Sequence, residues 1–263
     1  MNINISLDDY SAQMAEKGWI ILESVFEQDF VDTMSTDLLK AWDTCSAIQH
    51  KNGVAHDADL TVHHLIGQRD CYLECIDRME PLVPYLQDYF GGNFILNSFG
   101  GAINTKKHTS YAQRVHRDIR SYSGDMPLML NTLIMLDDFT KDNGATHMMS
   151  GSHKVEAKPT DEEFYEKSEQ AVGPVGSILI FNSNVWHAGG NNKTEHQRRS
   201  VTPMYCKPFI KQQFDYPRAL GYDKADELLP HTRQIIGYNA RVPASLDEWY
   251  QPPAKRMYKG DQG

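Results

Sequence analysis

Hydrophobic and polar positions follow two different periods along this chain. Over the first third the spacing is helical. Phe30, Val31, Met34, Leu38 and Leu39 recur three and four apart, which predicts an amphipathic helix over Glu27 to Trp42. A shorter helix is predicted over Asp8 to Lys17, capped by Ser6 or Asp8 and ended by Gly18 in a left-handed turn. Trp19 to Leu22 is an apolar run of strand length. Asn52 to Gly67 is polar with little periodicity, a loop long enough to act as a lid or substrate loop. Arg69 to Phe90 reads as helix, broken near Pro81 and Pro84 and closed by Gly91-Gly92.

From Asn93 to Cys206 the period shortens. Candidate strands are Phe94–Ser98, Gly101–Asn104, Gln113–Asp118, Met129–Asp137, Ala145–Met149, Ser177–Phe181, Val185–Ala188 and Ser200–Lys207, with one helix near Asp161–Glu169. Asp142-Asn143-Gly144 is a turn between two of them. Many short strands with regular turns predict a mainly β sandwich or barrel with flanking helices. The tail from Pro208 holds Pro217, Pro230, Pro243, Pro252 and Pro253, and is expected to be irregular and to wrap the body. With no repeat, linker or low-complexity segment, we expect a single domain over 1–263: a helical part to about 92, a β core over about 93–207 and the tail 208–263.

Composition narrows the classes. An apolar fraction of 40% and a charged fraction of 23% are ordinary for a soluble enzyme. The net charge of -9 comes without a basic stripe, which argues against nucleic acid as a partner. No apolar stretch approaches the ~20 residues that span a bilayer, and Met1 to Tyr10 carries no secretory pattern. Four cysteines are too few for a disulfide framework, so a reducing cytoplasm is expected. Cys71 and Cys75 share a helix face near His63 and His64, but this spacing matches no usual zinc knuckle and packing explains it better.

Chemistry concentrates in Val115-His116-Arg117-Asp118. In a strand, His116 and Asp118 would point to the same side. His187, just past the apolar run Ser177 to Phe181, is the candidate third ligand of a 2-His-1-carboxylate face, the arrangement that suits non-haem Fe(II). Eleven residues further, Arg198 begins a run in which Arg198, Ser200 and Thr202 share a face and Arg199 points away. A guanidinium fork suits the distal carboxylate of a dicarboxylate cosubstrate. Three protein ligands leave three positions for a 2-oxo acid and O2. Each residue also has a plainer reading: a surface H-x-D, a core histidine, a structural ion pair. Arg114, on the ligand side by strand parity, and Asn131 are candidate substrate contacts, with Trp186, His108 and Tyr111 behind them. His153 is expected to organise a turn.

Six stretches resemble the phytanoyl-CoA dioxygenase family of Fe(II)/2-oxoglutarate oxygenases. They are Asp9 to Val25 with Gly18-Trp19-Ile20-Ile21, Asn104-Thr105-Lys106, His116-Arg117-Asp118, Leu136-Asp137-Asp138 to Asn143-Gly144, Ser150-Gly151-Ser152-His153-Lys154, and Gly176-Ser177-Ile178 through His187 to Ser200. The resemblance implies a double-stranded β-helix, a cupin-like jelly roll flanked by helices. It also implies iron on His116, Asp118 and His187, and 2-oxoglutarate on Arg198, with Ser200 and Lys106 assisting. Ser150 stands where the family has proline, and Lys106-Lys107 where it has lysine-proline. The expected activity is hydroxylation, or another oxidation, of an unactivated C–H bond of a small molecule, with Fe(II), 2-oxoglutarate and O2 required and succinate and CO2 as co-products. Arg114 and the lysines lean toward a small polar or anionic substrate, and monomer and homodimer are both compatible. The alternatives are a metal-dependent cupin-like isomerase or hydrolase, and a non-catalytic metabolite-binding relative.

Overall fold

Ser6 opens the first helix by accepting from the Asp9 amide, and Gly18 closes it at φ +81. A β-carbon at Gly18 would stand 2.4 Å from His153 Nδ1 and 2.7 Å from Val185 Cγ2, so the turn needs glycine for space as well as for its backbone angle. This computed structural model describes residues 1, 3–54, 60–107 and 110–262. Part of the expected 52–67 loop and the pocket candidate His108 therefore lie outside the described residues.

The elements run α1 (Leu7–Lys17), β1 (Trp19–Leu22), α2 (Gln28–Lys51), β2 (Thr61–Val62), α3 (Asp70–Arg78), α4 (Val83–Phe90), β3 (Ile95–Asn104), β4 (Met129–Met135), β5 (His147–Met148), α5 (Asp161–Lys167), β6 (Glu169–Gln170), β7 (Ile178–Asn182), β8 (His187–Ala188), β9 (Arg198–Cys206), α6 (Tyr216–Leu220), α7 (Pro230–Ile236) and α8 (Leu246–Trp249). The strands form two antiparallel sheets, ordered β1-β7-β4-β9-β3-β2 and β6-β5-β8.

Strand parity divides the large sheet. Leu130 and Ile134 of β4, Ile178 and Ile180 of β7, and Val201 and Tyr205 of β9 pack with the helices in one core. Leu133 and Met135, with Leu179 and Phe181, face the other way and pack with Met148, Ala145 and Val185 under the small sheet. Asn131, Ser200, Thr202 and Met204 lie in the same parity class as Leu133. The sheet thus spends one face on helices and keeps polar side chains on the other.

Several expectations change. Helix α2 runs about nine residues past Trp42. The two runs expected at Phe94–Ser98 and Gly101–Asn104 are one strand, because Phe99 and Gly100 stay paired with Pro203 and Thr202 beyond a bulge at Leu96/Ser98. The strand expected at Gln113–Asp118 does not form. Tyr111–Gln113 is a 3₁₀ turn held by a Ser110/Gln113 capping box, and pairing is confined to the single bridge His116↔His187. The tail is less irregular than its prolines suggest. Three of them, Pro217, Pro230 and Pro253, enter first turns of short helices, where a missing N–H costs nothing.

Candidate metal centre

His116 and His187 are backbone partners. Each amide donates to the other's carbonyl at 3.0 Å, which fixes the two rings 4.2 Å apart. His116 Nδ1 lies 2.7 Å from the Arg114 carbonyl, and His187 Nδ1 lies 3.0 Å from the Val185 carbonyl. A carbonyl accepts and never donates, so both Nδ1 atoms carry the proton. Nε2 is then the atom each ring leaves for a metal, and both Nε2 atoms face Asp118: Oδ1 is 3.4 Å from His116 Nε2 and Oδ2 is 3.5 Å from His187 Nε2. One ligand atom from each residue falls within 4.8 Å of the others. Carbonyls that set the tautomer and a carboxylate that closes the face are the supports a bound metal needs.

The charges agree. Burial opposes ionisation of Asp118, but His187, His116 and the Asn131 amide outweigh it and hold the carboxyl below the usual carboxylate range. Burial, reinforced by His116, pushes His187 down to about 4, so its imidazole is neutral. Burial also works against a charged His116, yet the Asp118 carboxylate more than compensates and raises it. The site holds one anion, a neutral imidazole at His187 and a second imidazole at His116 whose proton a metal would displace, a donor set for a divalent transition metal.

Asp118 is oriented from behind. Asn131 Nδ2 donates to Asp118 Oδ2, and Asn131 Oδ1 accepts from Ser183 Oγ at 3.0 Å. Asn131, expected to touch substrate, has its amide engaged with the carboxylate. Arg117 sits between the ligands in sequence and points away from them. Its guanidinium donates to the carbonyls of Asn184 (2.6 Å), Glu156 (2.9 Å), Ser152 (3.1 Å) and Val155 and stacks on Trp186. These bonds hold the ligand segment in place of the missing strand. Sequence reading had no role for Arg117; its position beside both ligands was the one available signal.

The triad opens into a cavity of about 170 Å³. Arg198, Ser200 and Thr202 line it from β9, Gly100 from β3, and Thr61 and His63 from the other edge. Arg198 is 5% exposed, and its Nε and Nη1 have no hydrogen-bond partner. Its guanidinium lies 4.3 Å from the Phe139 ring centroid, and burial brings it down to about 10, with Asp137 opposing. Neighbouring Arg199, by contrast, forks onto Asp137 through Nε at 2.9 Å and Nη2 at 2.5 Å. A buried guanidinium with unmet donors is costly unless an anion joins it. Such a cradle, facing the same cavity as the triad, fits a carboxylate-bearing metal chelator. Ser200 is buried beside it. Lys106 is exposed and paired with Glu195 at 2.5 Å, and Arg114 is exposed; neither is among the residues lining the cavity. Cys71 and Cys75 are buried in the helical core, and their thiols are pushed up chiefly by burial. His153 is buried against Gly18, away from the triad. Among the described residues no helix is long and apolar enough to cross a membrane.

A model of the family described as phytanoyl-CoA dioxygenase (PhyH) matches residues 14–200. The chain is 28% identical over 272 residues to the protein Rv1501 of Mycobacterium tuberculosis, with 99% of this chain and 97% of that protein covered. It is 24% identical to the dioxygenase cdmA of Talaromyces verruculosus, covering 91% of this chain and 85% of the relative. Among solved structures, AviO1 from Streptomyces viridochromogenes Tue57 has a similar fold. Its TM-score is 0.58 at 16% identity, covering 80% of this chain and 98% of AviO1.

Proposed function

The chain belongs to the phytanoyl-CoA dioxygenase (PhyH) family, and we propose that it is an oxygenase that uses Fe(II) and 2-oxoglutarate to oxidise an unactivated C–H bond of a small molecule. On this reading the two antiparallel sheets are the halves of a double-stranded β-helix, and helices, sheets and tail build one catalytic domain.

His116, Asp118 and His187 would hold the iron. Iron held there would supply O2 activation coupled to oxidative decarboxylation of 2-oxoglutarate, with succinate and CO2 as co-products and the second oxygen atom going to the substrate. The chain's own contribution is geometric. The carbonyls of Arg114 and Val185 fix the neutral tautomer in which Nε2 is the atom presented to a metal. Asn131 occupies one oxygen of Asp118, which favours a single metal bond from the other. Arg198 offers its fork to the distal carboxylate of 2-oxoglutarate, and Ser200 offers a hydroxyl beside it. The apolar flank, with Phe181 against His187 at 4.9 Å, limits water around the ligands. A carboxylate at position 118 fills the place a halide would need, which supports oxygenation over halogenation.

The observation that carries the reading is Arg198, a buried guanidinium with unmet donors lining the cavity that the triad faces. The test is succinate formation. Iron-loaded protein given 2-oxoglutarate and air should release succinate, slowly alone and faster with substrate. His116→Ala and Asp118→Ala should abolish both rates. Full succinate formation in either variant would overturn the metal assignment.

A further inference from the structure

Arg198 is one end of the cavity wall; the other end is built differently. Thr202 lies four residues along β9 on the same face, about 13 Å away at strand spacing. It is paired with Gly100, and over Gly100 lies His63: a β-carbon there would stand 3.0 Å from the Val62 carbonyl, 3.3 Å from Thr202 Oγ1 and 3.6 Å from His63 Nδ1. Tyr111, carried by the 3₁₀ turn just before the metal motif, closes the same end, with its hydroxyl 3.5 Å from His63 Nε2.

The backbone is arranged to present His63. The next residue, His64, has φ +59, a backbone conformation that L side chains rarely adopt. The kink turns consecutive imidazoles apart. His64 stacks on Phe214 at 4.7 Å and meets the Tyr216 hydroxyl at 3.2 Å, whereas His63 lines the cavity. Strain held by a packed neighbour marks a side chain whose direction is under constraint. The contact between His63 and Tyr111 is slack, since an O–H···N bond of normal strength is shorter than about 3.2 Å. Tyr111 also bonds the Thr61 side chain, and a polar atom entering between ring and phenol would give His63 a closer partner.

This end carries no formal charge. Burial lowers the His63 pKa, and the ring is neutral near pH 7. Burial raises the Tyr111 pKa, with Asp118 adding and Thr61 opposing, and the phenol keeps its proton. Thr61, Ser98 and Thr202 add hydroxyls; Val62 and Met204 add apolar surface. Asp118 and Arg198 are the charged residues among the described cavity lining, and both are already assigned. No lysine or arginine falls in the residues outside the description.

We propose that His63 and Tyr111 are the specificity-determining pair of this site and that they read a hydroxyl or carbonyl oxygen of a substrate that is uncharged where it enters the cavity. The inference rests on the oxygenase reading above and reverses the lean of the sequence toward an anionic substrate. A neutral imidazole and a phenol each offer one donor and one acceptor, suited to an alcohol or ketone oxygen. A carboxylate or phosphate entering here would find no cation among the described lining of this end, and would give up hydration for two neutral partners.

The test uses protein loaded with redox-inert Zn(II) and saturated with the non-reactive cosubstrate analogue N-oxalylglycine, which blocks Arg198. Four probes sharing one skeleton are titrated by saturation-transfer NMR: cyclohexylmethanol, cyclohexanecarboxylate, cyclohexylmethylammonium and methylcyclohexane. The alcohol should bind at least fivefold more tightly than either ion. Its advantage over methylcyclohexane should fall at least threefold in His63→Phe and in Tyr111→Phe, and return in His63→Gln. Both residues are exposed (Tyr111 by 43%), and thermal unfolding of each variant checks the fold. An ion that binds as well as the alcohol, an alcohol that does not bind, or a preference unchanged in both Phe variants would overturn the proposal. Binding of N-oxalylglycine is scored separately. Its failure would count against the oxo-acid reading alone, and the probe ranking would then be taken without it.

Discussion

Replacing Arg198 with methionine separates a cosubstrate anchor from a structural arginine, because the two roles predict opposite effects on the free protein. Arg198 has no carboxylate partner among the described residues, and two of its buried nitrogens have no acceptor. Methionine keeps most of the apolar stem and its contact with Phe139 while removing a buried charge that has no ion-pair partner and only the nearby field of Asp137. The unliganded variant should therefore unfold at the same denaturant concentration as the parent or a higher one. Cosubstrate binding should respond in the other direction. A charge-assisted hydrogen bond is worth roughly 1.5–3 kcal/mol, and a fork makes two, so a loss of about 3 kcal/mol is a conservative expectation. At 1.4 kcal/mol per decade, that weakens 2-oxoglutarate about a hundredfold. The analogue 2-oxopentanoate keeps the chelating end and has a methyl group for the distal carboxylate. The parent should prefer 2-oxoglutarate over it by a similar factor, and Arg198→Met should nearly lose that preference. The assay is anaerobic titration of Fe(II)-loaded protein with each oxo acid. Affinity unchanged within threefold, a preference that survives in the variant, or destabilisation of the free protein by more than about 2 kcal/mol would refute the reasoning.

Other consequences follow from the same contacts. Asn131→Ala frees the Asp118 carboxylate and should weaken Co(II) or Fe(II) binding by roughly 10–100-fold, read by calorimetric titration, with the fold retained. Arg117→Met removes the donors to four carbonyls and should cost about 2–4 kcal/mol in urea unfolding; Arg117→Lys should recover little of this, because one ammonium cannot reproduce the fork. Metal at a hundredfold excess over its Kd should stabilise the folded protein by about 2.7 kcal/mol, and EDTA should reverse the gain; His187→Ala protein should show no metal-dependent rise.

The legible parts of the fold were those where one physical signal dominates. Alternation marks which residues face the helices and which the cavity in the strands expected at Met129–Asp137 and Ser200–Lys207, which form as Met129–Met135 and Arg198–Cys206. Helix ends were legible where a cap declared them, at Ser6 and Gly18. The ligand segment was misread as a strand for an instructive reason. His116 and Asp118 converge without strand parity, through one backbone bridge to His187 and the side chains of Arg117 and Asn131. Such ties cross tens of residues and leave no local period. Lys106 and Arg114 were judged by their place in the chain, but their side chains are exposed and outside the cavity lining. His63 could not be recognised from spacing, since its direction depends on the positive φ of His64 and on the packing of Phe214 and Tyr216.

The central claim is that one cavity holds both an iron face and a cosubstrate anchor, and anaerobic absorption spectroscopy tests it most directly. Adding 2-oxoglutarate to Fe(II)-loaded protein should produce a weak visible metal-to-ligand charge-transfer band that saturates at one equivalent, is absent in Asp118→Ala and needs far more 2-oxoglutarate in Arg198→Met. Admitting air should discharge the band as succinate forms. A protein that binds Fe(II) at one site but gives neither band nor succinate would contradict the account.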